Sequence, residues 1–269
     1  LIMMKRQKVV LFGLFCFSLV SCSSNKTIEP TTVSSMAVSR AATTQLADAA
    51  PSSKKNHAFG NRGGSPSVAE TFSKGVKTPS PSVAETFSKG VKAYNNRDYT
   101  AATKWFRQAA EQGNPKAQFL FGLMHANGQG IAQNNQEAAK WYQKAAEQGH
   151  TQAQFGLGQL YSKGEGVAQD DREAAKWYEQ AAQRGYAQAQ YNLGLMYANG
   201  KGVSKNDQQA VKWYYKAAKQ GYAQAQYDLG VMYTEGRGVD KNDEKAVKWY
   251  QKAADQGLNQ ARTTLEKDV

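Results

Sequence analysis

The stretch AAKWYQKAAEQG, Ala138 to Gly149, returns as AAKWYEQAAQRG from Ala174 to Gly185 and as AVKWYYKAAKQG from Ala210 to Gly221. Trp105, Trp141, Trp177, Trp213 and Trp249 follow one another at intervals of 36 residues, and every Trp of the chain belongs to the series. Self-similarity at a fixed period of this length marks an array of stacked units, each too small to bury its own apolar face. Such an array grows along one axis, so the 269 residues do not imply one large globular core.

Aligned on Trp, full units start at Ala117, Ala153, Ala189 and Ala225, and a fifth begins at Ala261. Each opens Ala-Gln-aromatic-x-(Leu or Phe)-Gly. A Gly inside a helix costs about 1 kcal/mol relative to Ala, so its return at Gly194 and its equivalents predicts close approach of a neighbouring helix. Gly200 is placed to end the first helix in the left-handed region, and GKGV, GQGI, GEGV and GRGV make the turns. Asp98, Asn134, Asp170, Asn206 and Asn242 stand where the second helix starts and are predicted N-caps. Glu137, Glu173 and Gln209 follow three residues later, the spacing of a capping box. Ala138, Trp141, Tyr142, Ala145 and Ala146 form one apolar stripe, and the Trp series is read as core. Gly149, Gly185, Gly221 and Gly257 stop the helix.

AQYNLGLMYANGKGVSKNDQQAVKWYYKAAKQG, Ala189 to Gly221, resembles a Sel1-like repeat, the longer-looped relative of the tetratricopeptide repeat, and the likeness runs in register from Ala117 to the C-terminus. FSKGVKAYNNRDYTAATKWFRQAAEQG, Phe87 to Gly113, lacks the Gly-x-Gly loop and is more similar to a tetratricopeptide unit. The resemblance implies an all-α, right-handed α-solenoid of helical hairpins whose first helices line a concave face, and a role as scaffold or adaptor. The expected organisation is a signal peptide over 1–21, Cys22 and a flexible linker over 22–80, a tetratricopeptide-like unit over 81–116, and four Sel1-like repeats with a partial helix over 117–269.

The N-terminal boundaries come from a different signal. Lys5, Arg6 and Lys8 precede the apolar run VVLFGLFCFSLV, Val9 to Val20, which is short for a membrane span and reads as a secretory signal. Leu19-Val20-Ser21-Cys22 resembles a bacterial lipoprotein box, which implies cleavage before Cys22 and its acylation, with palmitate among the acyl chains. Cys16 then leaves with the signal and no disulfide is expected. Ser23 after the lipidated Cys implies, for a Gram-negative source, the outer membrane, facing the periplasm or the surface. From Ser23 to about Ser80 the chain is rich in Ser, Thr, Ala, Asn and Gly without apolar periodicity, as in a tether. PSVAETFSKGVK occurs in it at Pro66 to Lys77 and again, identical, at Pro81 to Lys92.

The net charge of +12 is concentrated before the repeats: from Val83 onward 24 Lys and Arg face 19 Asp and Glu. Within the repeats the cations alternate with acids, which argues against a nucleic-acid partner. His57 lies in the linker, His150 in a turn between units, and His125 stands where other units have Tyr161, Tyr197 and Tyr233. No His/carboxylate cluster has metal-ligand spacing, so neither metal nor cofactor is expected. The Gly-x-Gly turns lack the Lys-Ser/Thr of a phosphate loop. Some relatives with disulfides are associated with β-lactam binding or hydrolysis; here the Ser-x-x-Lys at Ser52 to Lys55 lies in the linker, which cannot hold attack geometry. The chain is therefore read as non-enzymatic.

Positions that differ between copies of the first helix are candidates for recognition. They are 120/156/192/228 (Leu, Gly, Asn, Asp), 123/159/195/231 (Leu, Gln, Leu, Val) and 127/163/199/235 (Asn, Lys, Asn, Glu). Their spacing of three and four places them on one stripe. Beside it runs an aromatic ladder of Phe119, Phe155, Tyr191 and Tyr227, which either grips a peptide or a sugar or packs between units. The candidate partner-binding set is Phe119, Leu123, Phe155, Gln159, Tyr191, Leu195, Tyr227 and Val231. Two readings remain: an envelope-anchored monomeric adaptor that binds a protein or peptide partner on the concave face, or a glycan-facing scaffold for peptidoglycan or exopolysaccharide machinery.

Overall fold

The computed structural model describes residues 81–267. The signal, Cys22, the linker and the first copy of the duplicated segment lie outside the described residues. Within them the chain is all-helical, an α-solenoid of tandem hairpins. Its helices are α1 (Val83–Asn95), α2 (Tyr99–Glu111), α3 (Pro115–Asn127), α4 (Asn135–Glu147), α5 (Thr151–Lys163), α6 (Asp171–Gln183), α7 (Ala187–Asn199), α8 (Asp207–Lys219), α9 (Ala223–Glu235), α10 (Asp243–Asp255) and α11 (Asn259–Lys267). Each helix packs against its chain neighbours, α3 on α4 within a unit and α4 on α5 between units.

Helix ends fall where the local chemistry predicts. Asn134, Asn206 and Asn242 accept the N–H three residues on, and Asp98 and Asp170 do the same. Gly128, Gly164, Gly200 and Gly236 end the first helices in the left-handed region. The expected capping boxes on the second helices do not form. The backbone N–H groups of Asn134, Asp170, Asn206 and Asn242 are already donated to the carbonyls of His125, Tyr161, Tyr197 and Tyr233 on the preceding first helix. Glu137 and Glu173 are therefore free, and they pair instead with Lys140 and Lys176. A reciprocal box does form at Ser82 and Glu85, opening α1.

The apolar stripe of the second helix is buried as expected, with one correction. Tyr142, Tyr178, Tyr214 and Tyr250 are the deep aromatics, whereas Trp141, Trp177 and Trp249 are only half-buried and Trp213 alone of the series is buried. The helical Gly decides this. A Cβ on Gly194 would lie 2.6 Å from the Tyr214 ring, and Gly122 and Gly158 seat Tyr142 and Tyr178 equally closely. Gly90 holds Phe106 in the same way. The half-buried Trp141, Trp177 and Trp249 sit nearer the rim than the Tyr beside them, and Lys144, Lys216 and Lys252 lie over Trp141, Trp213 and Trp249 at 4.1 to 4.3 Å from the ring centroids.

Two further devices join unit to unit. The second Gly of each loop rests on the start of the preceding second helix: Gly202, at φ +70°, abuts the Asp171 carbonyl so tightly that no side chain fits. Lys201 and Arg237 in these loops reach Asp171 and Asp207 on the same preceding helices, at 3.2 and 3.0 Å. The Gln that follows the opening Ala is buried. Gln118, Gln154, Gln190 and Gln226 each donate from Nε2 to the carbonyl eight residues earlier, at the end of the previous second helix, at 3.0 to 3.2 Å. Gln148, Gln220 and Gln256 then donate to the Oε1 atoms of Gln118, Gln190 and Gln226 at 2.7 Å. Each buried amide thus ties three helices together and covers carbonyls that a helix end leaves unpaired.

Gly194→Ala tests the ring seat because two effects oppose each other there. Helix propensity favours Ala by about 1 kcal/mol. Overpacking against the enclosed Tyr214 ring costs typically 1–3 kcal/mol and has to exceed that gain. Urea titration is expected to show net destabilisation, with Gly194→Ala unfolding at lower denaturant than the parent.

Candidate partner-binding face

The first helices are enclosed on more sides than an amphipathic helix. In α3 every residue from Ala117 to His125 is buried. The aromatic ladder is accordingly internal. Phe119 and Phe155 are fully buried, Tyr191 is 6% exposed, and Tyr227 is half-buried. Phe119 lies between Tyr142 and His150, with centroid separations of 5.6 and 4.8 Å. Phe155 meets Tyr178 and Tyr186 at 5.7 and 5.0 Å, and Tyr191 meets Tyr214 and Tyr222 at 5.8 and 5.0 Å. Of the two roles open to the ladder, packing between units is the one its geometry serves. The second partner in each stack is the residue at the turn into the next unit, His150, Tyr186 or Tyr222, and their recurrence at the period of 36 is the signal that could have found them.

Leu123 is likewise buried, and so is Leu120. Gln159, Leu195 and Val231 are half-buried, as are Asn192 and Asp228. Lys163, Asn199 and Glu235 are exposed at the ends of α5, α7 and α9. The variable stripe is thus closed over in α3, partly open in α5 and more open in α7 and α9. The accessible candidate face consists of Gln159, Asn192, Leu195, Asp228 and Val231, of which Gln159, Leu195 and Val231 belong to the set expected from sequence.

Asp228 gives this face its titratable group. Desolvation pushes its carboxyl up to about 6, against hydrogen bonds from Tyr191 and Gln224 that favour the charged form. His150 sits behind the face. Its Nδ1 accepts the Ala153 N–H at 3.3 Å, capping α5 as Asn114 caps α3. Burial, with a smaller contribution from Lys116, pushes the imidazole down to about 4. His125 is also lowered by burial and packs edge-on against Phe121 at 4.7 Å, in the packing role expected of it. Among the described residues, no three His, Cys, Asp or Glu side chains are grouped as metal ligands would be. No helix there is long and apolar enough to cross a membrane.

The repeat boundaries and the packing agree with comparisons to known proteins. The Sel1 repeat model matches residues 88–114, 115–150, 151–186, 187–222 and 223–258. The first of these matches is a shortened repeat that falls within the segment expected to be tetratricopeptide-like. A protective antigen of uropathogenic Escherichia coli strains, described as displaying an SLR fold, superposes with a TM-score of 0.66 at 38% identity, over 69% of this chain and 40% of the antigen. A Sel1 repeat protein from Oxalobacter formigenes gives 0.64 at 38% identity, over 70% of this chain and 55% of its own. The chain thus spans about half the length of these solved relatives, or less. No curated protein gives a sequence match.

The two desolvated groups His150 and Asp228 have opposite effects on stability. The unfolded chain binds a proton at His150 more readily than the folded one, so stability falls as pH drops from about 6.5 toward 4. Asp228 stabilises below the ordinary carboxylate range, and that contribution is lost as pH rises through about 6. His150→Asn supplies a capping oxygen in place of Nδ1 and removes the first effect. The difference in unfolding free energy between parent and variant should therefore change by roughly 2 kcal/mol between pH 7.5 and 4.5, with the parent losing more on acidification. Urea titrations of both proteins across that range check it. The fold, the loop geometry and the matched residues lead to one assignment: the chain belongs to the Sel1 repeat family.

Proposed function

We propose that this protein is a non-enzymatic scaffold of the bacterial envelope, held by acyl chains on Cys22 and spaced from the membrane by the linker, which binds a polypeptide partner along its first helices. Sel1 repeat proteins are typically protein-interaction scaffolds, which supports the class of function. The observation that carries the site is the contrast inside each unit. The Gly, Tyr, Ala and Gln positions that build the stack repeat almost unchanged and are buried, whereas Gln159, Asn192, Leu195, Asp228 and Val231 differ from unit to unit and reach the surface. An extended or helical segment lying across α5, α7 and α9 would meet two amides, two aliphatic side chains and one carboxylate. Such a mixture suits a polypeptide better than a sugar, because the aromatic rings needed for stacking on a pyranose are occupied with one another.

Crosslinking capture from intact envelopes tests the reading. The full lipoprotein is compared with a Gln159→Ala, Leu195→Ala, Asp228→Asn, Val231→Ala variant whose helicity is first checked by circular dichroism. Loss of about tenfold or more of one polypeptide from the folded variant is the expected result. Undiminished capture places recognition elsewhere, and retention on isolated peptidoglycan in place of a polypeptide would favour the glycan-facing scaffold.

A further inference from the structure

The second helices carry a separate change along the array. In α4 and α6 one lysine of the outward ridge is ion-paired, Lys140 with Glu137 at 2.6 Å and Lys176 with Glu173, while Lys144 and Arg172 are exposed without such a pair. Both acids are available because the backbone N–H that a capping box would occupy is bonded to the preceding helix. In α8 and α10 the lysine persists as Lys212 and Lys248, but the acid is replaced by Gln209 and Lys245. Further along, Gln143 and Glu147 of α4 correspond to Tyr215 and Lys219 of α8. Lys212, Lys216 and Lys219 on α8 and Lys245, Lys248 and Lys252 on α10 are all exposed, and none forms an ion pair among the described residues. Glu244 and Asp255 are the exposed acids beside them on α10 that no lysine neutralises. Tyr215, 45% exposed, stands between the two rows with its ring 6.1 Å from Trp249.

We propose that this ridge of α8 and α10 is a contact surface for anionic phospholipid headgroups. Two rows, with spacings of three and four along each helix, make a two-dimensional array in which six lysines outnumber Glu244 and Asp255. A planar sheet of anions matches such an array more fully than a single acidic strand would. Every cation in it is Lys. A hydrated point charge on a flexible stem attracts a diffuse anionic surface, whereas recognition of individual carboxylates uses the planar fork of Arg. Tyr215 is the amphipathic aromatic that favours a membrane–water boundary. The surface is independent of the first-helix face, so either proposal stands if the other fails.

The test is flotation of residues 22–269 carrying Cys22→Ser, so that neither the apolar run Val9 to Val20 nor an acyl chain contributes. Vesicles of mixed phosphatidylglycerol and phosphatidylethanolamine are compared with vesicles of phosphatidylcholine alone. The parent should float with the anionic vesicles and be released by salt, since a Debye length of about 10 Å at 0.1 M screens exposed charges. Lys212→Gln, Lys216→Gln, Lys248→Gln and Lys252→Gln together should weaken binding about tenfold or more. Lys140→Gln, Lys144→Gln, Arg172→Gln and Lys176→Gln, the same loss of charge on α4 and α6, should change it by about threefold or less. Tyr215→Ser should weaken binding without altering its salt dependence. Circular dichroism confirms that each variant is folded. Equal loss in both quadruple variants, equal flotation with phosphatidylcholine, or preferential retention on immobilised poly-glutamate would overturn the proposal, the last by assigning the ridge to an acidic polypeptide.

Discussion

The structure depends on an aromatic ring seated on a glycine. Tyr142, Tyr178, Tyr214 and Tyr250 each lie across the Gly of their own first helix, and Phe106 does so on Gly90. The absence of a Cβ lets the two helices of a hairpin approach until the ring fills the space between them. The remaining contact positions, such as Ala138, Ala145 and Ala146, must then be small, and they are buried Ala. Tyr142 also touches Gly156 of the next unit, so the same ring sets the distance between hairpins. Once those separations are fixed, the Gly-x-Gly loop meets the preceding helix and the buried Gln reaches the preceding carbonyls. A helix cost of about 1 kcal/mol for each Gly is thus offset by packing that recurs along the array.

Much of this was legible in the sequence because it is local and repeated. The period of 36, the Asn and Asp caps, the left-handed Gly ends and the close approach at Gly194 all follow from residue types at fixed offsets. The parts that were not legible concern contacts on more than one side. An apolar stripe containing Trp-Tyr does not tell which ring goes deeper; the Gly across the hairpin does, and it selects Tyr. The aromatic ladder was open to two readings because a helix buried nearly all round has no amphipathic face to assign. Its enclosure depends on His150, Tyr186 and Tyr222, turn residues that recur at the period of 36 but whose side of the stack the period alone does not give. The capping boxes failed for a related reason, since a tertiary hydrogen bond had already taken the donor.

The candidate recognition residues divide along the same line. Phe119, Phe155, Leu123 and Tyr191 are consumed by packing, while Gln159, Leu195 and Val231 remain at the surface. In the N-terminal part Leu120 and Leu123 are both buried, whereas Asn192 and Asp228 at the first of these positions and Gln159, Leu195 and Val231 at the second are only half-buried. A face that opens along the array has a direction, so a partner bound there would contact the units after α4 more than those before it.

The outward ridge changes in those later units too, and the fold does not require it. The partly ion-paired ridge of α4 and α6 supports the same hairpin, the same ring seat and the same cap as the ridge of α8 and α10. Exposed pairs of this type contribute about 0.3–0.5 kcal/mol, so losing them costs the stack little and leaves those positions available for another use. The first-helix stripe and the second-helix lysines lie on different helices of each hairpin, and the stack separates them. A scaffold resting on anionic lipid through its second helices would therefore keep its first helices free for a polypeptide, and the units richest in exposed lysine are those whose first helices are most open.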